Sequence, residues 1–394
     1  MKKLLLASTA LALMSGSVHA EDIKIGIILG FTGPLESITP AMAAGAEMAM
    51  KEVSDSGKLM GGAKVLPVRA DSTCIDAAAA TAAAERLITS EKVSAIMGAD
   101  CSGVTGAILQ NVARPNGVAM ISPSATSPAL STAEDDGLFF RTAPSDARQG
   151  VVMTNVLMDR GVKTVALTYT NNDYGKGLAD SFQAAFEAAG GTVTINASHE
   201  DDKADYSAEV GALASAGGDA LVVAGYTDKG GKGIIQASLD SGAFETFVLP
   251  DGMVGQALVD SIGAGLNGSF GQYPGTDSQG AEVFQGMASA AGFEGTGAFA
   301  PESYDAAALI MMAMQAAGST NSGDWKSKVM DLANAPGELI LPGELGKALD
   351  LIAQGVDIDY VGATAVELIG GGESAGNYRE IEIMDGKINT VRFR

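Results

Sequence analysis

Histidine is nearly missing from this chain. Of its 394 residues two are His and one is Trp, and aromatic residues make up only 5%. Imidazole-based acid–base catalysis and most zinc sites therefore have little to work with. Basic residues are outnumbered as well: 25 Lys+Arg face 47 Asp+Glu, a net charge of −22. So acidic a surface repels phosphate backbones, and no nucleic-acid partner is expected. Beyond the first twenty residues no apolar run reaches the ~18 that a membrane helix needs. Material for a large core is present, with 46% hydrophobic residues. The length suggests two domains.

The N-terminus reads MKKLLLASTALALMSGSVHA. Lys2 and Lys3 precede a short apolar stretch, and Val18-His19-Ala20 offers small residues at a cleavage site. Residues 1–20 are thus expected to be a signal peptide, cleaved after Ala20, which sends the protein to the periplasm. No Cys follows the cut, so no lipid anchor is expected. Two lysines and His19 would leave with this segment, making the exported chain more acidic and His199 its sole histidine. An oxidising compartment favours pairing Cys74 with Cys101. Each follows an apolar run; if those runs are neighbouring parallel strands, the two thiols meet at their carboxyl ends. A catalytic or metal-binding thiol is the alternative, with no histidine to support it.

Apolar runs alternate with Ala-rich helical stretches. Ile23–Phe31, Lys64–Ala70, Ser94–Gly98, Val118–Ser122 and Leu138–Arg141 read as strands. Thr39-Pro40 is expected to cap the first helix. A second series follows in Thr164–Thr170, Thr192–Ala197, Ala220–Tyr226 and Phe247–Pro250. Near-continuous apolar strands imply parallel sheets covered on both faces. The pattern is α/β, with two doubly wound Rossmann-like lobes. Tyr360–Val366, Tyr378–Met384 and Lys387–Phe393 read as antiparallel strands, with Asp385-Gly386 as a hairpin turn.

Motifs for catalysis are absent. Gly225–Gly233 has P-loop glycines, but its Lys is displaced and no Ser/Thr follows it. There is no HExxH, no G-x-S-x-G and no calcium-loop spacing, and no metal or cofactor is expected. His199 lies in an acidic run and is expected to be solvated; Trp325 is expected to pack in a helical region. An exported enzyme using Asp251 or Glu36 as acid/base remains the disfavoured class. Ser102 opens a helix after MGADC, an N-cap position that suits an anion or simply caps its own helix.

Several segments in order carry a family likeness: EDIKIGIILGFTGPLES, GAEMAMKEVSDSG, GADCSGVTGA, ISPSATSPAL, FFRTAPSDARQG, NNDYGKGLAD, VVAGYTDKG and FVLPDGM. The chain resembles the periplasmic substrate-binding proteins of branched-chain amino acid (Leu/Ile/Val) ABC transporters. The likeness implies the type I periplasmic-binding fold, two lobes joined by a three-segment hinge with ligand between them. The crossovers are expected near Thr142–Pro144, Phe270–Gln272 and Glu367–Gly376. That assigns 21–143 plus 272–370 to lobe I, and 144–271 plus 371–394 to lobe II.

The resemblance also implies a function, a monomeric receptor without catalysis that delivers a small amino acid or carboxylate to a membrane permease. A sensor partner of a membrane receptor, or a binder of another carboxylate or amide, is the alternative. For the site it implies that Ser102, Ser124, Ala125 and Thr126 hold the head group, while Asp251 pairs with the ligand ammonium. Glu is usual at the Asp251 position, and Asp is one methylene shorter. Tyr174 and Tyr226 match aromatic positions facing the cleft. An aromatic residue often stands near Ile38, so Ile38 and the adjacent Glu36 depart from the pattern.

Overall fold

The computed structural model describes residues 21–394, and the signal-peptide assignment to 1–20 lies outside the described residues. The first strand series is β1 (Ile23–Leu29), β2 (Val65–Asp71), β3 (Ala95–Gly98), β4 (Met120–Ser122) and β5 (Phe139–Pro144). The second is β6 (Thr164–Thr170), β7 (Thr192–His199), β8 (Ala220–Ala224), β9 (Phe247–Leu249) and β10 (Phe270–Pro274). The last third adds β11 (Glu338–Ile340), β12 (Ile358–Tyr360), β13 (Leu368–Ile369), β14 (Glu373–Ser374), β15 (Tyr378–Met384) and β16 (Lys387–Phe393).

Two seven-stranded sheets result, ordered β13-β14-β5-β4-β3-β1-β2 and β16-β15-β10-β9-β8-β6-β7. Their centres are parallel, while β13, β15 and β16 add antiparallel edges. Every residue of β3, β8 and β9 is buried, as strands covered by helices on both faces require. The edge strand β7 alternates half-buried with exposed positions instead. In each sheet the strand order reverses, between β1 and β3 and between β6 and β8. Ligands of open α/β sheets bind outside the carboxyl ends of strands at such reversals.

The helix Ala300–Ala317 is buried over most of its length, consistent with an Ala/Met/Ile/Leu sequence apolar on all sides. It packs on the helix Thr39–Ser56 at backbone distance. A Cβ at Gly45 would lie 2.4 Å from the Ala300 carbonyl oxygen, so only glycine permits this approach. The contact fixes the start of the Ala300 helix, where Phe299 is held in a left-handed conformation with φ 64°.

Four local expectations change. Thr39 does not cap its helix; Ile38 is the N-cap, and the Thr39 hydroxyl donates to the Gly30 carbonyl. Tyr360–Val366 is not an antiparallel strand, since β12 ends at Tyr360 and pairs in parallel with β11 in a small separate sheet. Cys74 and Cys101 form a disulfide, but β2 and β3 are not neighbours: β1 runs between them, and the bridge passes across its carboxyl end. Sheet membership also shifts the crossovers. β5 stays in the first sheet to Pro144, β10 stays in the second to Pro274, and β14 stays in the first to Ser374. Strand pairing continues each segment past the residues where the apolar pattern fades.

Candidate functional site

The turns after β1, β3 and β4 face the turns after β6, β8 and β9. Ser102 is the first residue of a helix whose N-cap is Cys101, so the expected capping role falls away. Its hydroxyl instead accepts a hydrogen bond from the Ser127 N–H at 3.0 Å. That ties the helix start to the Pro-bounded loop after β4. Within this loop Ser122 Oγ accepts from the Ala125 N–H at 3.0 Å, and Ser124 Oγ donates to the Asp100 carbonyl at 3.0 Å.

A residue the sequence did not single out holds the loop from behind. Arg141, 1% exposed, donates from one guanidinium nitrogen to the carbonyls of Ala125 and Ser127, both at 2.9 Å. Its other terminal nitrogen reaches Glu373 on β14 at 2.5 Å. Both backbone groups of Ala125 are thus engaged within the protein. The Thr126 hydroxyl is buried without a well-formed hydrogen bond among the described residues, and lies against Asp146, whose charged form it favours.

Across the cleft Tyr174 and Tyr226 stack with ring centroids 5.2 Å apart. The Tyr174 hydroxyl donates to Asp251 Oδ1 at 2.6 Å, and Asn172 donates to the Tyr226 oxygen at 3.3 Å. Asp251 is 1% exposed; its Oδ1 also accepts from the Gly252 N–H at 2.7 Å, whereas Oδ2 has no partner. Burial pushes its carboxyl above the ordinary range, opposed by the Tyr174, Gln149 and Gly252 hydrogen bonds.

Ser102 and Ser124 from the first lobe, and Tyr174, Tyr226 and Asp251 from the second, line one narrow, nearly closed cavity of about 10 Å³. Leu35 and Phe299 supply apolar wall, and Asp100 lies beneath. Asp100 serves the fold, accepting from the Gly30 N–H at 2.8 Å and from Ser72 Oγ at 2.7 Å. Ala125, Thr126, Glu36 and Ile38 do not line this cavity. Glu36 is exposed, and Ile38 borders a neighbouring chamber with Val254 and Arg379. The Glu36 loop acts at the rim instead: the Ser37 N–H donates to Asp228 Oδ2 at 2.9 Å, and the Asp228 N–H to the Pro34 carbonyl at 3.1 Å. These bonds join the two lobes.

His199 is not solvated. It is 1% exposed, with Nδ1 2.8 Å from Thr168 Oγ1, and burial lowers its pKa to about 4. Trp325 is fully buried, a packing residue.

A family model described as periplasmic binding protein matches residues 22–332. The chain belongs to the periplasmic binding protein family. One relative, Leu/Ile/Val-binding protein homolog 1 of Brucella abortus, is 30% identical over 363 residues, covering 87% of this chain and 95% of that one. Among solved structures, the branched-chain amino acid transporter substrate-binding protein LivJ of Streptococcus pneumoniae, in complex with isoleucine, superposes with a TM-score of 0.77 at 24% identity, covering 94% of this chain and 99% of that one. An ABC transporter solute-binding protein of R. palustris in complex with benzoate gives 0.75 at 20% identity, covering 94% and 96%. Two lobes of mostly parallel sheet around a cleft are the family's architecture, and the cavity described above occupies that cleft.

Proposed function

We propose that this protein is the extracytoplasmic solute-binding component of an ABC importer. It closes around a small amino acid and presents it to the membrane permease. The carrying observation is the buried Asp251 carboxylate, with Oδ2 unpartnered, opposite the hydroxyls of Ser102 and Ser124 in one cavity. A zwitterion fits such a pair of walls, its ammonium at Asp251 and its carboxylate at the Ser102 hydroxyl, whose hydrogen is uncommitted, whereas that of Ser124 goes to the Asp100 carbonyl; the Thr126 hydroxyl lies nearby. Tyr174, Tyr226, Leu35 and Phe299 supply the apolar contact of a small side chain. The relatives' Leu/Ile/Val names support a branched-chain ligand. In this reading the protein performs no catalysis, works as a monomer and reaches the periplasm after cleavage behind Ala20.

Titration calorimetry with L-leucine, L-isoleucine, L-valine, L-alanine and benzoate tests it. Binding of an amino acid, weakened at least tenfold in Asp251→Ala because a buried ammonium loses its partner, is the expected result. Binding of benzoate alone, or amino-acid binding unchanged in the variant, overturns it.

A further inference from the structure

Behind the cavity lies a second buried carboxylate that the amino-acid reading does not use. Asp146 is the first residue of the helix Asp146–Asp159, immediately after the first crossover, and is fully buried. Its N–H donates to the Thr126 carbonyl at 2.8 Å, which joins it to the first-lobe loop. Its Oδ1 accepts from Gln149 Nε2 at 3.2 Å, while the Gln149 Oε1 accepts from the Asp251 N–H at 3.3 Å. One amide thus links the two aspartates. Gln272 holds that amide in turn, donating to the same Oε1 at 3.4 Å.

The polar atoms around this pair are under-satisfied. Asp146 Oδ2, Asp251 Oδ2, Gln272 Oε1 and the Tyr378 hydroxyl are buried without a hydrogen-bond partner among the described residues, while the Thr126 hydroxyl lies against Asp146 and favours its charged form. Asp146 Oδ2, Asp251 Oδ2 and Gln272 Oε1 can only accept, and two hydroxyls, Thr126 and Tyr378, are the neutral donors beside them. Two ionised carboxylates cannot persist together in so dry a place without a cation or a proton. Arg141 faces Asp146, but its guanidinium is committed to Ala125, Ser127, Ser131 and Glu373.

We infer that Asp146 and Asp251 form one recognition unit, which holds a proton when the cleft is empty and releases it to solvent when the ammonium group of the ligand enters. Asp146 is then a specificity-determining residue for cationic head groups. The inference rests on the amino-acid reading and adds a proton to it. The exchange balances: one carboxyl loses H⁺ to solvent as one ammonium enters, and that ammonium takes over the neutralisation of the carboxylate pair.

Other titratable groups facing the pair do not provide this proton at neutral pH. Tyr174 donates to Asp251 and is held well above its usual range by burial, then by the charges of Asp251 and Asp146. Tyr226 and Tyr378 are raised by burial too, with Asp251 charge adding to each and Arg148 opposing it at Tyr378. Asp100 has its hydrogen bonds supplied by Gly30 and Ser72. Asp146 itself is pushed well above the carboxylate range, by burial first and by Asp251 second, so the pair is where a proton stays.

Two measurements test this on the mature protein. In the empty protein labelled with ¹³C at aspartate side chains, one carboxyl signal should titrate well above the usual range and vanish in Asp146→Asn. If every aspartate outside Asp100, Asp201, Asp305 and Asp359 titrates normally, the inference is overturned whatever the ligand. Calorimetry of L-isoleucine and L-alanine at neutral pH in phosphate and in Tris should show release of close to one proton per ligand bound. In Asp146→Asn, checked for folding by its melting curve, release should disappear while weakened binding, about tenfold or more, persists. Amino-acid binding without proton release overturns the inference and leaves the amino-acid reading standing. Absence of amino-acid binding overturns both. Isocaproate, which lacks the amine, should bind without releasing a proton; release by it overturns the exchange.

Discussion

Tyr174 donates its hydroxyl hydrogen to Asp251 at 2.6 Å, from a ring stacked on Tyr226 and buried at the cleft floor. The bond sets which carboxylate oxygen stays free. Oδ1 serves Tyr174 and the Gly252 N–H, and Oδ2 remains for a ligand. Tyr174→Phe should therefore lower ligand affinity, because Asp251 can rotate and its charge loses a donor. A hydrogen bond to a charged group is worth about 1.5–3 kcal/mol. Titration calorimetry should show a loss of roughly tenfold or more. Unchanged affinity would show that Asp251 needs no orientation.

Ser102 and Thr126 should separate stability from binding. Ser102 Oγ accepts from the Ser127 N–H, so Ser102→Ala leaves that buried donor unpaired. A cost of about 1–3 kcal/mol in unfolding free energy follows, with weaker binding. The Thr126 hydroxyl makes no well-formed hydrogen bond among the described residues and holds no backbone group in place. Thr126→Val should leave the denaturant midpoint unchanged or raised, and still weaken ligand binding. Equal loss of stability in both variants would contradict the assignment.

Closure should depend on Asp228. It accepts from the Ser37 N–H and donates its own N–H to Pro34 across the lobe interface. Asp228→Ala keeps the backbone bond and removes the bonds from the Ser37 N–H and the Thr227 hydroxyl, the first of which crosses between the lobes and is worth about 1 kcal/mol. Stopped-flow measurements should find ligand release several-fold faster and association little altered, as for interactions formed after encounter. A slower association rate with unchanged release would refute the latch.

Glu302 should make stability fall as pH rises from about 4.5 to about 8. Its carboxyl is fully buried, and burial first, then Asp305, raises its pKa to about 8. The unfolded chain loses this proton near 4.5 while the folded protein keeps it to about 8. Stability is therefore fully present below the lower value and declines as pH rises through the window. Asp305, raised to about 6 by burial, adds to the decline in the lower part of that range. Glu302→Gln should flatten the slope of unfolding free energy between pH 6 and 8 in urea titrations. A slope identical to the parent would place the titrating group elsewhere.

The two-lobe architecture was legible because parallel strands buried on both faces must be apolar along their length, as AIMG and ALVVA are. The site was legible in part. Ser102, Ser124, Tyr174, Tyr226 and Asp251 all follow strand ends, and open sheets present such positions to one cleft. Glu36 shared the right loop but points outward, and sequence carries no sign of that orientation. Arg141, Gln149 and Asp146 were missed because nothing near them in the chain distinguishes a buried polar residue from an exposed one. His199 misled for the same reason: its acidic neighbours suggested solvent, yet the ring packs under Gly225 and Gly230.

Local sequence determined the alternation of strands and helices, the export signal as an expectation and the scarcity of catalytic groups. Each depends on hydrophobic period and composition, which are properties of short windows. Only tertiary structure decided that β1 lies between the strands preceding the two cysteines, that β14 joins β5, and that Gln149 joins Asp146 to Asp251. These are pairings between residues far apart in the chain. Their selection comes from packing and from hydrogen bonds that become strong once water is excluded, and neither exists until the lobes have formed.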